Sequence, residues 1–151
     1  MHPFRYDLVN SPPESLLDTV RQCLRTYNRD SNPIFFAIVD DPNYAKQPLN
    51  VFAFDASDYC IGGLLGSTDL SWLKIDILTV HPDHRRRGIG QRLVELAEIE
   101  ARRRGCRHSY LDTMSYQAPE FYPKLGYEIS GRLQDWDSHG HTKFLFTKNL
   151  A

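Results

Sequence analysis

The sequence predicts an α/β domain: a mixed, strongly twisted sheet of six or seven strands with helices on both faces. Three observations carry this. Trp72–Val80 is a strand pattern that runs into an amphipathic helix pattern at Gly90–Arg104, and a strand pattern at His108–Thr113 follows. A strand–helix–strand order implies parallel pairing through a crossover when both strands share a sheet. Upstream, Val51–Asp55, Cys60–Thr68 and Trp72–Val80 are separated by short turns, the spacing of an antiparallel meander. The length of 151 residues suits one domain, expected to span 1–151.

The elements follow in order. Arg5–Val9 reads as a short strand. Ser11-Pro12-Pro13-Glu14 has capping-box spacing, and Leu16, Leu17, Val20, Cys23, Leu24 and Tyr27 form a helical stripe after it. Asn32-Pro33 ends that segment, Ile34–Val39 reads as extended, and the two prolines between Asp40 and Asn50 mark a loop. Gly62, Gly63 and Gly66 weaken or bulge the strand Cys60–Thr68. Along Trp72–Val80, alternation puts Trp72, Lys74, Asp76 and Leu78 on one face and Leu73, Ile75 and Ile77 on the other. Ile89, Leu93, Leu96, Ala97 and Ala101 give the helix its stripe. Glu98 with Arg102 and Glu100 with Arg104 are i,i+4 pairs in the favourable order, and Gly105 is a C-cap. A short helix is expected at Gln117–Leu125, then strands at Tyr127–Arg132 and Lys143–Lys148 around a polar loop, Gln134–His141.

Composition narrows the function. Apolar residues make up 41% and charged residues 25%, with a formal net charge of −1, so no bulk field recruits nucleic acid or anionic lipid. No apolar run approaches the ~20 residues of a membrane span. Met1–Asp7 lacks the apolar stretch of a secretory signal. Three scattered cysteines without CxxC spacing argue against a disulfide framework or a zinc site, and for a reducing cytoplasm. Eight arginines lie between Arg85 and Arg107, but the clusters Arg85–Arg87 and Arg102–Arg107 fall at opposite ends of one helix, more than ~20 Å apart at 1.5 Å per residue, with no aromatic set to stack bases.

The chemistry concentrates at Val80-His81-Pro82-Asp83-His84-Arg85-Arg86-Arg87-Gly88-Ile89-Gly90, where strand becomes helix. A helix N-terminus directs unpaired N–H groups and partial positive charge outward, and Gly88 and Gly90 let the backbone approach a ligand, so the junction suits a pyrophosphate. An ordinary helix start with a solvated basic loop is the competing reading. No Gly-Lys-Ser/Thr ends the loop, which excludes a P-loop, and Leu93 stands where a dinucleotide fingerprint needs a third small residue.

Leu78-x-Val80-x-Pro82-x-x-Arg85-x-x-Gly88-x-Gly90 resembles the acetyl-CoA motif of the GCN5-related N-acetyltransferases, the GNAT family. Ala118-x-x-Phe121-Tyr122-x-Lys124-x-Gly126-Tyr127 resembles that family's second motif. The likeness covers Val51 to Leu150 and implies a bulge near Leu78 and Val80 that splays this strand from His108–Thr113, the splayed pair holding acetyl-CoA as co-substrate. It implies that the backbone at Leu78, Thr79 and Val80 holds the pantetheine arm, and that the Val80 N–H stabilises the oxyanion. It also implies that Arg85, Arg86, Arg87, Gly88, Ile89, Gly90 and Gln91 hold the pyrophosphate, with Ser115, Ala118, Phe121, Tyr122 and Lys124 completing the cofactor site. Ser115 stands where the family often has Asn, which gives fewer hydrogen bonds. Tyr122 matches the usual general acid that protonates the departing thiolate; the competing reading is an aromatic core residue.

Asp76 is a candidate base, and equally an exposed partner of Lys74 or half of a buried ion pair with an arginine. Asp112 is a second candidate, or an anchor for the turn into Ser115. The loop Asp135–His141 can cover an acceptor amine or form a solvated turn with a hydrogen-bonded His141; it offers no third ligand for a metal. The function expected from the resemblance is acetyl transfer to a primary amine of a small molecule by direct attack in a ternary complex. The alternative is a non-catalytic acyl-CoA sensor. By analogy with the fold, the final strands can pair in a homodimer.

Overall fold

The computed structural model describes residues 4–151. Met1, His2 and Pro3, part of the stretch read for a secretory signal, lie outside the described residues. Two compact units are present, one running to Ala45 and the other comprising Lys46–Ala151.

The first unit is helical: α1 (Glu14–Ser31) and α2 (Pro33–Val39). Three expectations are corrected here. Arg5–Val9 forms no strand; an extended segment without a partner ladder gains too little to order itself as sheet. The Ser11–Glu14 capping box is not made: the N-cap of α1 is Pro13, in extended conformation, with no side-chain cap. Ile34–Val39 is helical, because the Asn32 side chain accepts the Phe35 N–H at 3.2 Å and Pro33 occupies the first helical position, where its missing N–H costs nothing.

The second unit carries the sheet. Its strands are β1 (Gln47–Phe54), β2 (Cys60–Asp69), β3 (Trp72–Val80), β4 (His108–Met114), β5 (Glu128–Leu133) and β6 (Lys143–Asn149), in the order β1-β2-β3-β4-β6-β5. β1, β2 and β3 form the antiparallel meander, β3 and β4 pair in parallel, and the remaining pairs are antiparallel. The crossover helix α3 (Ile89–Arg103) packs on β1, β2 and β3. Leu93, Val94, Ala97 and Ala101 of α3 are buried with Leu64, Leu73, Ile75, Leu111 and Phe146 of the sheet. Each fully buried leucine of this set contributes about 2 kcal/mol.

Alternation along β3 is broken once. Gly66 faces Ile75 and Leu65 faces Ile77, so Asp76 is an extra residue with no partner on β2. This is a β-bulge, and it overturns the expected face assignment. Leu73 and Ile75 are buried toward α3, Ile77 is 53% exposed, and Leu78 and Val80 pack against the core instead. Gly66 makes the bulge possible: a Cβ there would run into the Lys74 carbonyl.

The expected short helix after β4 is replaced by two single 3₁₀ turns, Pro119–Phe121 and Pro123–Leu125. Pro123 lacks the N–H that an α-helix would bond to the carbonyl four residues back, and Pro119 disfavours helical dihedrals at Ala118, which is extended with φ 165°.

Candidate active site

β3 and β4 are paired over four residues only, from Trp72 opposite His108 to Ile75 opposite Leu111. β3 continues to Val80 and β4 to Met114 without each other, so the sheet opens into a fork. A cleft of about 620 Å³ fills it, roofed by the N-terminus of α3 and by the 3₁₀ turns.

Hydrogen-bond alternation shows what the free arm of β3 offers. His81 N donates to Ile61 O at 2.8 Å, so Val80 and Gly62 form the next, non-hydrogen-bonded pair, as do Leu78 and Leu64. The N–H and C=O groups of Leu78 and Val80 therefore turn away from β2, toward the side from which β4 has departed. The Val80 carbonyl accepts Arg85 Nε at 3.0 Å. The Val80 N–H on the same side is left for a ligand.

Beyond the arm, the backbone bends tightly. Arg86 has φ +58° and Gly88 has φ +78°, both left-handed, and α3 begins at Ile89 without a side-chain cap. Left-handed turns of this kind aim successive N–H groups into one concavity, which is an anion cradle. The first N–H groups of α3 add to it. An extended cleft flanked by free strand amides and ending in an anion cradle fits an acyl-pantetheine diphosphate.

Of the residues singled out in the sequence, Asp76, Leu78, Thr79, Val80, Arg85 and Arg86 line the cleft. So do Gly88, Ile89, Gly90, Gln91, Ala118, Phe121, Tyr122 and Lys124. Arg87 and Ser115 are not among the lining residues. The Ser115 hydroxyl instead accepts Thr142 N at 3.1 Å and its own N–H reaches Thr142 O at 2.8 Å. Gln117 does line the cleft and was not anticipated: its Oε1 accepts Met114 N at 2.8 Å and the Thr113 hydroxyl at 3.1 Å, finishing the free end of β4. His84 and Glu120 are further lining residues the sequence did not single out.

Tyr122 is held by its ring, with centroids 5.5 Å from Phe146 and 6.0 Å from Tyr127. Burial raises its phenol above the usual tyrosine value, so it stays protonated at neutral pH. Asp76 pairs with Lys74 at 2.7 Å, and Asp112 with Lys143 at 3.5 Å. The Asp76 hydrogen bond raises the Lys74 ammonium above its ordinary value. In the loop before β6, Asp137 accepts His141 Nδ1 at 2.5 Å and the N–H groups of His139 and His141. Desolvation works to raise the Asp137 carboxyl, but these hydrogen bonds outweigh it and hold the group below the usual aspartate value.

The sequence profile described as "Acetyltransferase (GNAT) domain" matches residues 47–129. The chain belongs to the GNAT acetyltransferase family. Blasticidin-S acetyltransferase of Streptomyces morookaense is 35% identical to this acetyltransferase over 131 residues, covering 84% of this chain and 96% of its own. A crystal structure of an acetyltransferase from Bacillus cereus superposes with a TM-score of 0.71 at 27% identity, over 95% of this chain and 97% of its own. An aminoglycoside 6'-N-acetyltransferase complexed with coenzyme A shares the fold, with a TM-score of 0.64 at 23% identity over 89% and 88% of the two chains. This GNAT enzyme is an N-acetyltransferase whose co-substrate is acetyl-CoA. No helix among its described residues is long and apolar enough to cross a membrane.

Proposed function

We propose that this acetyltransferase moves acetyl from acetyl-CoA to a primary amine of a small molecule, by direct attack within a ternary complex, in the cytoplasm. The whole chain, 1–151, is read as one N-acetyltransferase domain. The observation that carries the reading is the fork: it gives the Val80 N–H no strand partner and opens it to the same cleft that Tyr122 lines.

In this mechanism the free amine nitrogen attacks the thioester carbonyl. Negative charge builds on the carbonyl oxygen and is met by the Val80 N–H, a donor fixed before the reaction begins. The C–N bond forms and the C–S bond breaks. The sulfur takes the Tyr122 phenolic proton, while Asp76 takes the proton that the amine gives up. Solvent then restores both groups. The cradle from Arg86 to Gln91 binds the diphosphate and holds the thioester in line, so much of the acceleration comes from positioning.

The small-molecule acceptor is supported by the relative named for blasticidin-S, to which the likeness runs nearly end to end. Replacing Tyr122 with Phe tests the mechanism. The expected result is a fall in kcat of on the order of a hundredfold with little change in acetyl-CoA affinity. Equal turnover by the two proteins would remove Tyr122 from the reaction.

A further inference from the structure

Two of the carboxylates that line the cleft, Asp76 and Asp112, are paired within the chain: Lys74 on Asp76, Lys143 on Asp112. Two carboxylates and two lysines sum to zero. A site selecting polycations would leave its carboxylates open toward the cleft.

The two lysines are not equivalent. The Lys74 and Asp76 side chains are 43% and 44% exposed, and such a pair is worth no more than about 1 kcal/mol, so an incoming ammonium exchanges with Lys74 easily. Lys143 is 21% exposed and its Nζ lies 4.1 Å from the centroid of the Trp136 ring, a cation–π contact that holds it. Lys143 is thus a fixed cation beside the cleft, while Lys74 is a displaceable one. Beside Lys74 a second hollow of about 530 Å³ runs along Trp72, Tyr110 and Leu145, with room for the body of a small acceptor.

We infer that the acceptor of this enzyme is a zwitterion: its amine replaces Lys74 at Asp76, and a carboxylate of the same molecule is received by Lys143. This rests on the acetyl-transfer reading above and narrows it to amines that carry their own acid group.

The experiment measures CoA release by the purified protein with amines offered beside their decarboxylated counterparts: γ-aminobutyrate beside propylamine, β-alanine beside ethylamine, and L-lysine beside cadaverine. The expected result is a kcat/KM at least about tenfold higher for the acid-bearing member of each pair. Lys143→Met, which keeps the stem over Trp136 but removes the charge, should bring that ratio to about one or below. Calorimetric titration with CoA, run on both proteins, reports whether the fold and cofactor site are intact. Equal or better use of the decarboxylated amines overturns the inference, as does an unchanged ratio in K143M. Tight CoA binding with no turnover of any of these amines also overturns it. Failure to bind CoA would instead bring down the acetyl-transfer reading beneath it.

Discussion

Arg85 donates through Nε to the carbonyl of Val80 at 3.0 Å, closing the corner between β3 and α3 with a side chain. The N–H proposed to meet the oxyanion and the carbonyl that Arg85 restrains belong to the same residue. Arg85 is therefore expected to hold the oxyanion donor in place as well as to present positive charge to the diphosphate. Arg85→Met should lower kcat by on the order of tenfold, because a small misplacement of a catalytic group is costly. Steady-state kinetics with a CoA titration separate the two roles: a loss confined to CoA affinity would assign Arg85 to the diphosphate alone.

Gly66 should tolerate no side chain. Alanine there would push its Cβ into the Lys74 carbonyl, so either β2 and β3 part or the bulge at Asp76 is remodelled. Overpacking of this kind costs about 1–3 kcal/mol. Urea unfolding of Gly66→Ala is expected to report that loss. The acetyl-CoA KM is expected to rise with it, because the free arm of β3 starts at the bulge.

The ion pair of buried Glu98 with part-buried Lys148 fastens α3 to β6. Both Glu98 oxygens accept Lys148 Nζ at 2.8 Å, and Arg102 approaches Glu98 at 3.6 Å. Removing Lys148 leaves the buried Glu98 carboxylate with only the longer Arg102 contact, and stranding a buried charge costs about 3–5 kcal/mol. Lys148→Ala should destabilise the protein by that order in chemical denaturation. Replacing the pair together, as in E98L with K148M, should recover most of the loss, because apolar residues of similar volume need no desolvation.

The alkaline limb of the rate profile should lie unusually high. Burial raises the Tyr122 phenol, and in the proposed mechanism the protonated form delivers a proton to sulfur. The sign is that activity persists as pH rises through the ordinary tyrosine value of about 10 and falls only above it. The profile of kcat/KM reports this group in the free enzyme. A decline centred near neutrality, lost in Tyr122→Phe, would contradict it. Burial raises Tyr127 as well, so both phenols contribute stability that is full below about pH 10 and is lost as pH climbs through their folded values.

Much of the fold was legible because the decisive residues constrain the backbone directly. The stripe from Leu93 to Ala101 could only be a helix against a sheet, and Gly88 stands at a left-handed position. Ile34–Val39 is ambiguous for a different reason: a short apolar run has no period of its own, and Asn32-Pro33, which starts the helix here, serves as readily for a stop. The resemblance implies a bulge near Leu78 and Val80; its place at Asp76 is the part that the residues do not mark. Nothing in Asp76 marks it as an extra residue; the condition that permits it sits on the neighbouring strand, in Gly66. Gln117 escaped notice because its role depends on β4 ending unpaired, which is a property of the sheet and not of the residues around it.

The extra residue in β3 has a consequence for how this pocket can be unmade. Leu65 already faces Ile77 and Gly66 already faces Ile75, so excising Asp76 would leave the meander's rungs where they are and join two halves that are already in step. With the kink gone, the strand would run straight and zip against its parallel neighbour past Leu111. A chain shorter by one amino acid would then be a sound sheet with nowhere to put a cofactor.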